Sequence, residues 1–207
     1  ARSRPSSART TSGRTGGGGS IFAVPLLIYG LSTTPREAIG VSLASVGAIA
    51  LVGAGMFGGD VHLRAYADLQ RAGLAPNLGR CGLDKWTRDL AGIEFELVAV
   101  ATRSEASAQK SAANFKEWTG REPKAYHGET PWENVLRDFP DLDVMAVSTP
   151  DHLHTPVVLA ALENGTHVIT EKPMCLDMAE ADQIIELARA KGLVVGVDMH
   201  KRYDPDH

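Results

Sequence analysis

IALVGAGMFGGDVHLRAYADLQRAG, residues 49–73, decides how the rest of the chain is read. An apolar run over 49–52 ends in glycine. Gly53, Gly55 and Gly58 follow at the spacing G-x-G-x-x-G, and then Val61, Leu63, Tyr66 and Leu69 recur at helical intervals. That order predicts a buried strand, a glycine turn and an amphipathic helix. In such a turn the first glycine permits the bend and the second lets the main chain approach a pyrophosphate. The third lets the helix lie close to the strand, and the helix N-terminus offers N–H groups to the phosphates. A glycine-rich membrane helix can show the same spacing, so the flanking sequence has to decide between the two.

Downstream, the pattern is regular. FELVAVA (95–101), KAYHG (124–128), DVMAVST (143–149), THVITEKP (166–173) and LVVGVDM (193–199) read as strands. Helices are expected over 104–120, from Pro131, over 154–165 and over 177–192. Ser104 and Asp177 are the expected N-caps, and Thr130 with Glu133 forms a capping-box pattern. Residues 74–92 read as an irregular insertion. The strands are continuous apolar runs, which predicts a parallel sheet covered on both faces with right-handed crossovers. The expected fold is therefore α/β, a doubly wound parallel sheet of the Rossmann type over residues 47–197.

Upstream, the composition is different. The chain has 207 residues and a formal net charge of −4. Residues 1–59 hold five Arg and one Glu, a net +4, and 12 of the 21 glycines; the other 148 residues carry a net −8. Residues 1–20, ending in GGGGS, read as a disordered tail. Residues 15–35 and 38–59 are two uncharged windows, each about the length of a membrane span, and 21–46 reads as an apolar segment either foreign to the fold or membrane-like. Residues 48–54 cannot be both the centre of a membrane helix and the first strand of a sheet. The strand reading accounts for the helix and the elements that follow, so insertion of 17–59 is the lesser alternative. Bulk charge gives no sign of a nucleic-acid partner. The two cysteines, Cys81 and Cys175, have no metal-type spacing and read as thiols in a reducing compartment, the cytoplasm.

The ligand side of a doubly wound sheet lies at the carboxyl ends of its strands, which directs attention to three places. After FELVAVA come Thr102, Arg103 and Ser104, with no carboxylate to take a ribose 2′-hydroxyl. Arg and a hydroxyl can hold a 2′-phosphate, which favours NADP over NAD, against a solvated arginine and a plain helix cap. In STPDHLH (148–154), Ser148 and Thr149 can bond a ribose or nicotinamide. Asp151, His152 and His154 lack a third group of partners, so no metal is expected. In EKP (171–173) a lysine can reach a substrate oxygen, or it can form an ordinary strand-end pair with Glu171.

GAGMFGG, STPDHLH, VITEKPMCLDMAEA and GVDMHKRYDP, in this order and spacing, resemble the Gfo/Idh/MocA oxidoreductases over about residues 49–207. The resemblance implies dehydrogenases or reductases of sugars, polyols and related compounds, with NAD or NADP in an N-terminal Rossmann domain and substrate against a C-terminal α/β domain. It implies that Gly53, Gly55, Met56, Phe57 and Gly58 contact pyrophosphate, and that Thr149, Asp151 and His154 lie near the nicotinamide ribose. Asp151 stands where Asn is common. The resemblance further implies that Glu171 and Lys172 reach nicotinamide and substrate, with Lys172 the catalytic candidate, and that Arg202 lines the substrate site. Residues 198–207 are the expected start of a substrate domain that the chain lacks, so the fragment alone is expected to be inactive. A homo-oligomer is an expectation for the complete protein only. Residues 17–54 resemble the first spans of TauE/SafE-type permeases, a reading that would make the chain two unrelated pieces joined near ALVGAG. The alternative for the folded part is a dinucleotide-binding module without catalysis.

Overall fold

A computed structural model describes residues 46–55, 58–74, 76 and 94–199. The described elements alternate along the chain. β1 (Val46–Val52) leads through a one-turn π-helix (Gly58–His62) into α1 (Leu63–Ala72). β2 (Glu94–Thr102), α2 (Glu105–Thr119), β3 (Lys124–His127) and α3 (Pro131–Asp138) follow. β4 (Val144–Val147), a short 3₁₀ turn (Asp151–Leu153), α4 (His154–Asn164), β5 (His167–Glu171), α5 (Met178–Lys191) and β6 (Val195–Asp198) complete the order. The strands form one sheet in the order β3-β2-β1-β4-β5-β6, and every pairing is parallel. This is the doubly wound order, in which the direction of winding reverses between β1 and β4.

The continuous apolar strands are explained by burial on both faces. Along β1, Ile49 and Leu51 face one layer with Leu63 and Tyr66 of α1 and Phe115 of α2. Ala50 and Val52 face the other, with Trp132 and Val135 of α3, Val157 of α4 and Ile184 of α5. Alternate side chains of a strand point to opposite faces, so a strand apolar at every position needs helices on both sides. The residues 48–54 that also fit a membrane span are thus the central strand of this sheet and the turn leaving it. Among the described residues no helix is long and apolar enough to cross a membrane. The expectations for 1–45 lie outside the described residues, as does most of the insertion 74–92.

Helix ends follow the sequence signals with one exception. Ser104 Oγ accepts from Ser107 N at 3.3 Å, and Asp177 Oδ1 accepts from Glu180 N at 2.9 Å. Glu180 Oε2 in turn accepts from Leu176 N at 2.9 Å. Gly120, Gly165 and Gly192 end their helices in the left-handed region, where glycine carries no Cβ penalty. Thr130, by contrast, makes no side-chain cap bond; α3 is started by Pro131 in its first turn and by Glu133 N donating to the Thr130 carbonyl at 3.1 Å. Along α1 the buried residues are Leu63, Tyr66 and Ala67. Val61 is exposed, because the inward stripe runs through His62 and Leu63, not through Val61.

Candidate functional site

The carboxyl ends of β1 and β4 meet at the point where the winding reverses, and here the backbone is packed too tightly for side chains. Gly53 N donates to the Ala101 carbonyl and Ser148 N to the Val52 carbonyl, both at 2.8 Å. Gly53 sits at φ +95°, and a Cβ there would fall 2.5 Å from the Ser148 carbonyl carbon and 2.6 Å from Thr149 N. A Cβ on Gly58 would overlap the Gly53 carbonyl oxygen and Ser148 Oγ. Ser148 Oγ donates to the Gly53 carbonyl, so this hydroxyl fastens the glycine turn to β4. Gly55 differs from both: it is exposed, and a Cβ there would meet none of the described residues within 4 Å. Two glycines are therefore required by the protein's own packing. The middle one has no such neighbour among the described residues, which leaves its main chain open to a ligand on that side.

Thr149 adds a second sign of a ligand. Its Oγ1 is buried, with no hydrogen-bond partner among the described residues. A buried hydroxyl without a partner is unfavourable by about 1–3 kcal/mol, and a ribose hydroxyl or amide at this rim would supply the partner. The open middle glycine, the helix entered immediately after the turn and the unpartnered hydroxyl fit a dinucleotide across the switch point. Met56, Phe57 and Arg202 lie outside the described residues.

At the end of β2, Thr102 is buried and its Oγ1 donates to the Ser104 carbonyl at 2.8 Å. Arg103 stands out in solvent, with Nε and one terminal nitrogen donating to Glu129 Oε1 at 3.2 and 3.1 Å. Both side chains are more than four-fifths exposed, so their pair contributes little. Asp151 is exposed at the start of the 3₁₀ turn. His154 is wholly buried, with Nδ1 2.6 Å from the Pro173 carbonyl and Nε2 2.9 Å from the Thr149 carbonyl. It thus joins the β4 turn to the EKP turn.

The EKP turn follows β5, the neighbour of β4 in the sheet. The Lys172–Pro173 bond is cis. Lys172 is exposed. Glu171 is buried at 8% exposure, and its Oε2 accepts from Lys172 N at 3.3 Å. Its Oε1 lies 2.8 Å from His62 Nε2, and Asp198 Oδ2 lies 3.8 Å from the same nitrogen. Donor atoms of His62, Glu171 and Asp198 all lie within 4.8 Å of one another, a spacing that could admit a divalent cation. The 2.8 Å contact is already a hydrogen bond between two of the three. Tyr66 lies one turn along α1, its ring 6.2 Å from that of His62. Burial first, then the charges of Asp198 and Glu171, raise its phenol well above the usual range, so it stays protonated.

His62 and Asp198 were not among the residues marked by sequence. The signal for His62 was present: with Leu63, Tyr66 and Ala67 it lies on one inward stripe of the helix. Asp198 carried no signal, because only the pairing of β5 with β6 brings it opposite Glu171.

Comparison with known proteins agrees with this geometry. The profile of the Gfo/Idh/MocA oxidoreductase family, NAD-binding Rossmann fold, matches residues 48–199. The dTDP-3,4-didehydro-2,6-dideoxy-α-D-glucose 3-reductase of Streptomyces antibioticus is 39% identical over 106 residues, 51% of this chain and 29% of that protein. The 1,5-anhydro-D-fructose reductase of Ensifer adhaerens is 38% identical over 78 residues, 38% of this chain and 23% of that protein. Among solved structures, an NAD binding oxidoreductase from Klebsiella pneumoniae superposes with a TM-score of 0.55 at 28% identity, over 74% of this chain and 34% of that one. The UDP-N-acetylglucosamine 3-dehydrogenase GnnA from Acidithiobacillus ferrooxidans shares the fold, with a TM-score of 0.57 at 22% identity over 79% and 41% of the two chains. The chain thus spans well under half the length of these relatives. Nothing in these comparisons supports the permease resemblance of residues 17–54. The chain belongs to the Gfo/Idh/MocA oxidoreductase family, and residues 48–199 are its NAD-binding Rossmann fold.

Proposed function

We propose that this chain is the cofactor-binding part of an NAD(P)-dependent dehydrogenase or reductase acting on a sugar, polyol or similar hydroxyl or carbonyl compound. The observation that carries the reading is the pairing of two features at the carboxyl edge of the sheet, where His154 joins the turns after β4 and β5. One is the open glycine turn with the unpartnered Thr149 hydroxyl; the other is the EKP turn, with Glu171 held inside and Lys172 outside. The sugar class is drawn from the activities named for the relatives, and the cytoplasm remains the proposed compartment.

The chemistry divides between cofactor and protein. When bound, the nicotinamide supplies or accepts the hydride. Gly53 and Gly58 hold the turn against β4, and Gly55 leaves room for the pyrophosphate. Thr149 Oγ1 and Asp151 would hold the ribose. Lys172, as an ammonium or amine, gives a proton to the substrate oxygen on reduction and takes one on oxidation. Arg103 and Ser104 favour NADP, since a 2′-phosphate can displace Glu129 from an exposed pair of little strength.

Titration of the 207-residue chain with NADPH and NADH, followed by nicotinamide fluorescence, tests the cofactor reading. Saturable binding, tighter for NADPH, is expected; no binding of either would overturn it. In the complete enzyme, Lys172→Ala should reduce turnover at least about a hundredfold while cofactor affinity changes little. Unchanged turnover would remove Lys172 from its role.

A further inference from the structure

We infer that His62 is a positioning residue for Glu171: it fixes the carboxylate beside the nicotinamide and thereby sets how strongly the site favours the oxidised over the reduced cofactor. The inference rests on the cofactor reading above and adds a residue that the glycine turn and the EKP segment do not themselves contain.

Three elements converge to build the contact. The π-turn Gly58–His62 and the start of α1 deliver His62 beneath the sheet's carboxyl edge. β5 ends on Glu171 and β6 on Asp198, and the two are paired neighbours. The side chain of His62 is 12% exposed and that of Glu171 10%, so their 2.8 Å contact is shielded from water. A carboxylate only accepts hydrogen bonds, so His62 Nε2 donates. Charge-assisted bonds of this kind are roughly twice as strong as neutral ones. Asp198, 3.8 Å from the same nitrogen, adds a second negative charge that favours this orientation of the ring. The Tyr66 ring stacks alongside, 6.2 Å away between centroids. Glu171 is therefore tied at both oxygens, one to His62 and one to Lys172 N.

The consequence follows from charge. The nicotinamide ring is cationic when oxidised and neutral when reduced. A carboxylate fixed beside it stabilises the oxidised form more. A carboxylate free to turn to water does so less. His62 thus acts on the cofactor through Glu171.

The test measures dissociation constants of oxidised and reduced cofactor on the full chain, on three single variants and on one double variant. His62→Leu keeps bulk against Tyr66 but donates nothing, whereas His62→Gln keeps an N–H at a similar reach. Glu171→Gln removes the charge that His62 is proposed to hold. The ratio of oxidised to reduced affinity is expected to fall about three- to tenfold in His62→Leu and in Glu171→Gln. His62→Gln should restore most of it, and His62→Leu should have no further effect in the Glu171→Gln background. An unchanged ratio in His62→Leu, equal ratios for Leu and Gln, or additive effects in the double variant would overturn the inference while leaving cofactor binding intact. If the unaltered chain binds neither nucleotide, the cofactor reading fails and this inference falls with it.

Discussion

The two ends of the sheet use the same residue types in different ways. At the amino end, Asp143 immediately precedes β4 and His167 opens the neighbouring β5. Asp143 Oδ2 accepts from Ala48 N at 2.9 Å, its carbonyl accepts from His167 N at 2.9 Å, and His167 Nδ1 accepts from Val194 N at 3.0 Å. These groups hold main-chain N–H donors where strands begin. At the carboxyl end, His62 with Glu171 and Asp198 forms another imidazole–carboxylate cluster, yet it borders a cleft shared with Leu51, Ala146 and Ser148. At the same edge of the sheet lie Gly55 and Thr149, whose Oγ1 has no hydrogen-bond partner among the described residues. Polar groups at one end complete the fold, while at the other some are left for a ligand. A histidine beside an acid therefore carries no function by itself; its place along the strands decides.

The sharpest division should appear among the glycines. Gly58→Ala should destabilise the fold by at least ~3 kcal/mol, because its Cβ would collide with main chain, and thermal unfolding would show it. Gly55→Ala should stay within about 0.5 kcal/mol of the unaltered chain yet weaken NAD(P)H binding about tenfold by closing the approach to the pyrophosphate. If both variants lose stability alike, the middle glycine is structural as well. Next in size is Asp143→Ala, which strands the Ala48 N–H. A loss of about 1–3 kcal/mol is expected in denaturant unfolding, with nucleotide affinity unchanged. A large drop in affinity would mean the two ends are not independent.

Thr149→Val should do the reverse of Asp143→Ala. Stability should hold or rise slightly, since an unpaired hydroxyl is removed, while nucleotide affinity falls about threefold to tenfold. The smallest effect is in pH. Burial lowers the pKa of His167 from 6.5, against a smaller upward pull from Asp143, and its Nδ1 must stay unprotonated to accept from Val194 N. As pH falls below about 6.5, the unfolded chain takes up a proton that the folded chain resists. Stability should therefore decline shallowly below neutrality, and His167→Gln should flatten that decline. A steeper profile after the substitution would contradict the assignment.

Local features were legible in the sequence. The strand runs, Ser104 and Asp177 as caps, the glycine turn and the EKP turn each lie within a few residues and depend on local geometry. Contacts between distant residues were not. His62 meets Glu171 across 109 positions, and Ala48 meets Asp143 across 95. Gln70 Oε1 accepts from Leu97 N at 3.0 Å, where the register of β1 against β2 shifts and Val98 has no opposite residue. No periodicity announces such pairings, because they arise only once the sheet order is set. The Thr130 pattern shows the converse: the right residues at the right spacing did not form the side-chain cap.

His154 has a mechanical consequence. One imidazole bridges the turns after β4 and β5 in a place closed to water, so neither turn can shift by much without breaking a contact that solvent cannot replace. The Thr149 turn and the Lys172–Pro173 turn are thus coupled like the two jaws of a fixed-gap gauge. A cofactor seated against one finds the other already at its working distance, and any larger movement of this rim must carry both turns together.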